Sequence, residues 1–196
     1  MCIYEQNIFV GGFYYERSYG SDITNSCLQY DTKQVNCKGN SWKEVAVMKE
    51  ARYYAACAVF QGNIIVSGGM DNGRNILSTV ESYDVFADKW SSMPSMIRGK
   101  HDLSLSVVQD KLFVIGQGRQ FCEVFDNIGK QFVALESSFC IYFSVNKSIA
   151  LGNKIIVIQD SVCRAICYDV VDNKWSYELC EIIENYKFSS VKLPLY

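Results

Sequence analysis

The chain has 196 residues, of which 49% are hydrophobic, 20% charged and 14% aromatic, with a formal net charge of −2. Enough apolar surface is present to offset the conformational entropy of folding, which excludes a disordered chain. With 19 basic against 21 acidic residues and no Lys/Arg block, there is no electrostatic footprint for a nucleic acid or an anionic membrane.

No apolar run approaches the roughly 20 residues of a spanning helix, and Met1 to Gln6 shows no basic segment ahead of an apolar one. A soluble, unsecreted, cytoplasmic protein is the expectation. The 9 cysteines are odd in number and include no Cys-x-x-Cys, which favours reduced thiols over a disulfide framework. Cys163 and Cys167 share one face of a strand, but with His101 as the lone histidine they read as small buried hydrophobes and not as a metal site. No metal and no cofactor are expected.

In chain order, a polar turn followed by a β-branched or aromatic run occurs at Gln6 through Gly12, Gln61 through Gly69, Gln109 through Gly116 and Leu151 through Ile158. Each reads as a hairpin feeding a buried strand. Each run is followed by a strand ending in an aromatic and an aspartate, at Tyr30-Asp31, Tyr83-Asp84, Phe125-Asp126 and Tyr168-Asp169, and then by a large aromatic at Trp42, Trp90, Phe132 and Trp175. In the last three units the interval from Asp to that aromatic is 6 residues each time. No stretch carries a capped helical period, so the unit is four short antiparallel strands.

Strands are predicted near 7–12, 27–31 and 41–46 in the first unit, four in each of the next three units, and one more near 187–193. Such a sheet cannot bury both of its faces alone, so the units must stack face to face around an axis, with the large aromatic of the outer strand wedged against the next unit. The expected fold is all-β: about four four-stranded antiparallel blades of a β-propeller, open or partial. The blades are placed at 1–46, 47–96, 97–138 and 139–182, with 183–196 starting a further blade or supplying a closing strand. Residues 187–193 are a candidate to pair with the first unit, which on this count lacks its innermost strand. The doublets Gly11-Gly12 and Gly68-Gly69 are read as packing positions, where backbone turns with positive φ or approaches another segment closely.

These doublets, the Tyr-Asp steps (Tyr83-Asp84 among them), Trp42, Trp90 and Trp175, and Met48 through Arg52 with Met96 through Arg98, resemble kelch repeats, in particular those of the kelch-like proteins. The resemblance covers nearly the whole chain and is strongest over residues 47–96. The third and fourth units depart from it, carrying Gly116-Gln117 and Gln159-Asp160 for the doublet and Phe132 for the tryptophan. It implies a non-enzymatic protein-interaction module, similar to the substrate-recognition domain of a cullin-RING ubiquitin ligase adaptor; the alternative is an actin-binding cytoskeletal scaffold. In that family a BTB domain contacts cullin, and neither it nor the BACK segment is present in these residues.

Candidate binding residues follow from loop length. The connection after each doublet is longest in the first two units, and all such loops emerge on one face. Tyr14, Tyr15, Arg17 and Tyr19 interleave aromatics with a cation in the longest loop, as interface hot spots do. Arg74 lies in the polar turn of the second unit. Arg52 and Arg98 are taken as matching positions, where kelch-like proteins use arginine to hold acidic peptides; pairing with a nearby carboxylate is the competing reading.

Overall fold

Each repeat becomes one sheet, because the turns between its strands are locally encoded and its strands are too short to reach further. The computed structural model describes the chain except residues 6, 13, 18–19, 33–41, 117, 120–121, 136–139, 142–146, 160–163 and 179–196. The first sheet holds β1 (Cys2–Tyr4), β2 (Asn7–Gly11), β5 (Cys27–Asp31) and β6 (Trp42–Val45), with the hairpin β3 (Tyr14–Arg17) and β4 (Gly20–Ile23) inserted between β2 and β5. The second holds β7 (Ala56–Phe60), β8 (Asn63–Ser67), β9 (Val80–Asp84) and β10 (Lys89–Met93). The third holds β11 (Ser104–Val108), β12 (Lys111–Ile115), β14 (Glu123–Asp126) and β15 (Gln131–Ala134). The fourth holds β17 (Ser148–Leu151), β18 (Lys154–Gln159), β19 (Arg164–Asp169) and β20 (Lys174–Glu178). A small ribbon, β13 (Gly118–Arg119) with β16 (Cys140–Ile141), bridges the third and fourth units.

All pairings are antiparallel, and the inner strands β1, β7, β11 and β17 lie side by side in chain order. The first unit is therefore complete. Its innermost strand is Cys2–Tyr4, hydrogen-bonded to β2, and not a C-terminal segment; the short run before the Glu5 turn is too brief to show a period. Residues 187–193 lie outside the described residues.

The turns explain the repeat. Inner hairpins turn on Gln61-Gly62 and Gln109-Asp110, all four with positive φ, the mirror-image turn that matches strand twist. Between the third and fourth strands, Asp84 Oδ1 accepts from the Phe86 and Ala87 amides at 2.9 Å each, and Asp126 and Asp169 cap their turns likewise. The turn closes through a residue with φ near +50°, at Asp88, Lys130 and Asn173, which fixes the interval to the aromatic. Where the preceding aromatic carries a hydroxyl, that residue accepts from it: Tyr83 Oη donates to Asp88 at 2.7 Å and Tyr168 Oη to Asn173 at 2.6 Å. Where it is Phe125, the position is Lys130.

The hydrophobic core is divided among the junctions. Phe9, Val45 and Met48 of the first blade pack with Ile64, Tyr83 and Trp90 of the second. Ile65 and Val80 pack with Leu112, Phe125 and Phe132. Phe113 and Ile115 pack with Ile155, Tyr168 and Trp175. Alternate residues of each second strand thus serve opposite neighbours, which is why these strands are apolar throughout. The large aromatic of the outer strand leans on the preceding blade, whereas the sequence pattern predicts the next one; strand periodicity separates two faces without saying which neighbour each one meets.

The two end faces differ accordingly. Trp42 packs against Tyr30 with ring centroids 5.1 Å apart yet is 45% exposed, against 8% for both Trp90 and Trp175. At the other end Ile156 and Ile158 are half-buried, whereas Phe113 and Ile115, their counterparts one blade earlier, are buried. Among the described residues no strand of the fourth sheet pairs with the first, so the four blades form an open arc.

Candidate functional site

The glycine doublets bring each inter-blade connector onto the face where the long loops emerge. Gly68 and Gly69 have φ of +65° and +90°, and a Cβ on them would lie 2.5 Å from the Lys100 and Tyr53 carbonyl oxygens respectively. A Cβ on Gly12 would collide with the Arg52 carbonyl oxygen. The doublets are packing devices, as the spacing predicts.

With Gly69 allowing this approach, the connector exchanges backbone hydrogen bonds with the loop of the second blade: Tyr53 N with Met70 O at 3.0 Å and Met70 N with Tyr53 O at 2.8 Å. Tyr54 follows with φ of +54°, an unusual conformation for an aromatic, which leaves its ring 62% exposed and 4.8 Å from that of Tyr53. The loop beyond Met70 is held by Asp71, whose carboxylate accepts the Asn75 amide and side chain at 2.8 Å each; those bonds hold its pKa below the usual value. Arg74, at φ +61°, projects from this turn and is exposed. Asn72 Oδ1 accepts the Ile23 amide at 2.9 Å, tying the turn to the end of the β3–β4 hairpin. Between these segments lies a groove of about 620 Å³, lined by Ile23, Tyr53, Tyr54, Met70, Asp71 and Arg74 among others.

Of the residues singled out in the sequence, Arg74 lines this groove. Tyr14, Tyr15 and Arg17 lie on β3 of the adjoining hairpin, and Tyr19 is outside the described residues. Arg52 is 1% exposed; its guanidinium donates to the Gly68 carbonyl at 2.9 Å and to Glu81 Oε1 at 2.8 Å and meets Glu50 at 3.1 Å. Glu81 also accepts the Lys49 and Glu50 amides, so the ion pair fastens the incoming connector to the third strand of its blade. Pairing with a carboxylate is therefore the reading that describes Arg52.

The matching of Arg52 with Arg98 is corrected as well. In the next blade Lys100 pairs with Glu123, which also accepts the Ile97 amide at 2.8 Å, so Lys100 is the counterpart of Arg52. Arg98 stands where the second blade has Glu50, and it is exposed. The sequence reading passed over Tyr53, Tyr54 and Met70. The adjacent tyrosines directly after Arg52 were the available signal, but their exposure depends on a backbone conformation that no spacing encodes.

Two phenol rings tilted against each other, a thioether, a cation and an anion around an open groove offer aromatic, hydrogen-bonding and charge contacts to a polypeptide. His101 Nδ1 sits 3.2 Å from Asp102 Oδ2, away from this groove in the following connector. Among the described residues no group of three His, Cys, Asp or Glu side chains is placed to hold a metal ion.

The class of protein that this architecture defines is the β-propeller, here an arc of four blades. The Kelch motif family matches residues 51–97, the second blade with the connector under the groove. An F-box/kelch-repeat protein of Arabidopsis thaliana is 38% identical over 85 residues, covering 43% of this chain and 19% of the relative. Kelch-like protein 23 of Mus musculus is 26% identical over 176 residues, covering 86% of this chain and 30% of the relative. The solved structure of YjhT superposes with a TM-score of 0.67 at 16% identity, over 90% of this chain and 63% of that one. Residues 51–97 carry a kelch motif, a repeat that indicates a protein–protein interaction module, and most of the chain is similar to kelch-repeat proteins. The chain spans less than half the length of these curated relatives.

Proposed function

We propose that the groove between the first two blades receives a segment of a partner protein, and that the chain acts as the recognition part of a ubiquitin ligase adaptor. The observation that carries the binding reading is Tyr54, an aromatic held at positive φ and left 62% exposed beside Arg74. Strained backbone that leaves an apolar ring in water is retained when that ring has a function. The adaptor reading is supported by the names of the similar proteins, F-box/kelch-repeat and Kelch-like.

The test uses the full chain as bait for cellular protein, comparing wild type with Tyr54→Ala and Arg74→Ala at unchanged melting temperature. The expected result is a set of partners, including ubiquitin ligase subunits or their substrates, that both variants lose. Partners retained by both variants would reject the groove. Co-sedimentation with actin filaments, undiminished by either substitution, would replace the adaptor reading with the scaffold one.

A further inference from the structure

Beneath the same two blades the inner strands β1 and β7 run side by side without backbone pairing, because each is the edge of its own sheet. What joins them is side-chain chemistry. Cys2 and Cys57 pack in one cluster at this junction, and Cys57 Sγ donates to the Met1 carbonyl at 3.0 Å. Both line a cavity of about 230 Å³ between the blades, and Cys27 lines it too. Its volume is several times the share of a single water molecule, about 30 Å³, so a small reagent has room beside the sulfurs.

The cysteines are not equivalent. The neighbouring Cys2 thiol pulls the Cys57 pKa down, and Cys57 together with burial pushes Cys2 up. Cys57 is only partly buried, whereas Cys27 and Cys122 are 6% exposed and burial pushes their thiols up to about 11 and about 12. Reactivity follows the thiolate and its access, so Cys57 is the one nucleophile in this group, with a second sulfur already in contact.

We propose that Cys2 and Cys57 form a peroxide-oxidisable dithiol that closes to a disulfide joining the inner strands of the first two blades. In the first step the Cys57 thiolate attacks one oxygen of a hydroperoxide. The S–O bond forms, the O–O bond breaks, and the departing alkoxide or hydroxide takes a proton; sulfur is oxidised by two electrons and the peroxide reduced by two. In the second step the Cys2 sulfur attacks Cys57. The S–S bond forms, the S–O bond breaks, and the hydroxyl leaves as water with the Cys2 proton. The sum is two thiols and one hydroperoxide giving one disulfide, one alcohol or water, and one further water.

The cavity shares Gly12, Tyr53 and Tyr54 with the partner groove, so the bond fixes the spacing of the blades directly under that groove. A disulfide here adds a covalent tie to units that otherwise meet through apolar packing, the connector and hydrogen bonds such as that from the Ile23 amide to Asn72.

The test is a hydrogen peroxide titration of the folded full chain, quenched by alkylation and mapped with trypsin without reductant. Cys2 is the sole cysteine of tryptic peptide 1–17 and Cys57 that of 53–74, so the expected product is one linked pair of these peptides, two hydrogens lighter than their sum and split by reductant. In Cys2→Ser the expected product is a Cys57 sulfenic acid trapped by dimedone; in Cys57→Ser neither product forms. Before oxidation, Cys57 is expected to react with iodoacetamide at least about ten-fold faster than Cys122. First oxidation at any other cysteine, or linkage of 1–17 to 53–74 only after denaturation, overturns the proposal. The wild-type map decides this even where a serine variant fails to fold.

Discussion

The Trp90 indole N–H donates to the Ala46 carbonyl at 2.7 Å, reaching from the outer strand of the second blade to the residue where the first blade ends. Asp88 accepts the amide of the same Ala46 at 2.8 Å, so the outer hairpin of one blade grips both backbone groups of the chain entering it. A satisfied indole in an otherwise apolar junction makes this contact directional as well as adhesive.

Trp90 and Trp42 occupy the same position in successive blades, but among the described residues only Trp90 has a preceding blade to lean on. Trp90→Ala is expected to cost about 3–5 kcal/mol through the cavity and the lost hydrogen bond, whereas Trp42→Ala is expected to cost about 1 kcal/mol. Urea unfolding of the two variants measures the difference. Equal losses would mean that Trp42 is covered in solution.

Arg52 and Glu81 are a buried ion pair, 1% and 3% exposed at their side chains. Arg52→Met leaves the Glu81 carboxylate facing the connector without its cation and is expected to cost about 3–5 kcal/mol; the double variant Arg52→Met with Glu81→Leu is expected to recover part of that loss. Glu81 also holds two connector amides, so recovery is expected to remain incomplete. A double-mutant cycle in denaturant reads the coupling, and strictly additive losses would contradict it.

Glycines with the same sign of φ separate into two kinds. Gly62→Ala meets nothing within 4 Å and is expected to cost about 1 kcal/mol for its left-handed backbone alone. Gly69→Ala drives a methyl against the Tyr53 carbonyl and is expected to cost more than twice as much, displacing the connector under the groove. Thermal denaturation ranks the two, and equal melting temperatures would show that the connector yields freely.

Stability is expected to hold up to about pH 9 and to fall above it. Burial pushes the Cys27 thiol from 9.0 up to about 11 and Cys122 up to about 12, and burial also raises the Tyr83 and Tyr168 phenols above 10.0. These groups stay neutral in the folded chain while their unfolded counterparts ionise first, so their contribution is complete below the unfolded values and is lost as pH rises toward the folded ones. Melting temperature against pH from 7 to 11 checks the direction, and a rise above pH 9 would refute it.

The repeats, their turns and the class of fold were legible in the amino-acid order because they are local. Aspartates such as Asp84 and Asp126 cap turns within three residues, and the run Asn63–Ser67 forms a strand wherever two apolar faces are offered to it. The face proposed for binding was singled out by the uneven lengths of its loops. The residues lining its groove were less so: Arg74 lies there, but Tyr54 depends on a positive φ imposed by the approach of the connector to Gly69.

What the tertiary structure alone decided were relationships between residues distant in the chain, 44 apart for Trp90 and Ala46 and 23 for Lys100 and Glu123. A period of two assigns side chains to faces but not faces to neighbours, so the direction in which Trp90 leans appears only once the blades are stacked. Likewise, Lys100 and not Arg98 is the partner of Glu123, because the glycine doublet fixes where the connector passes, and a one-dimensional match of basic residues carries no such geometry.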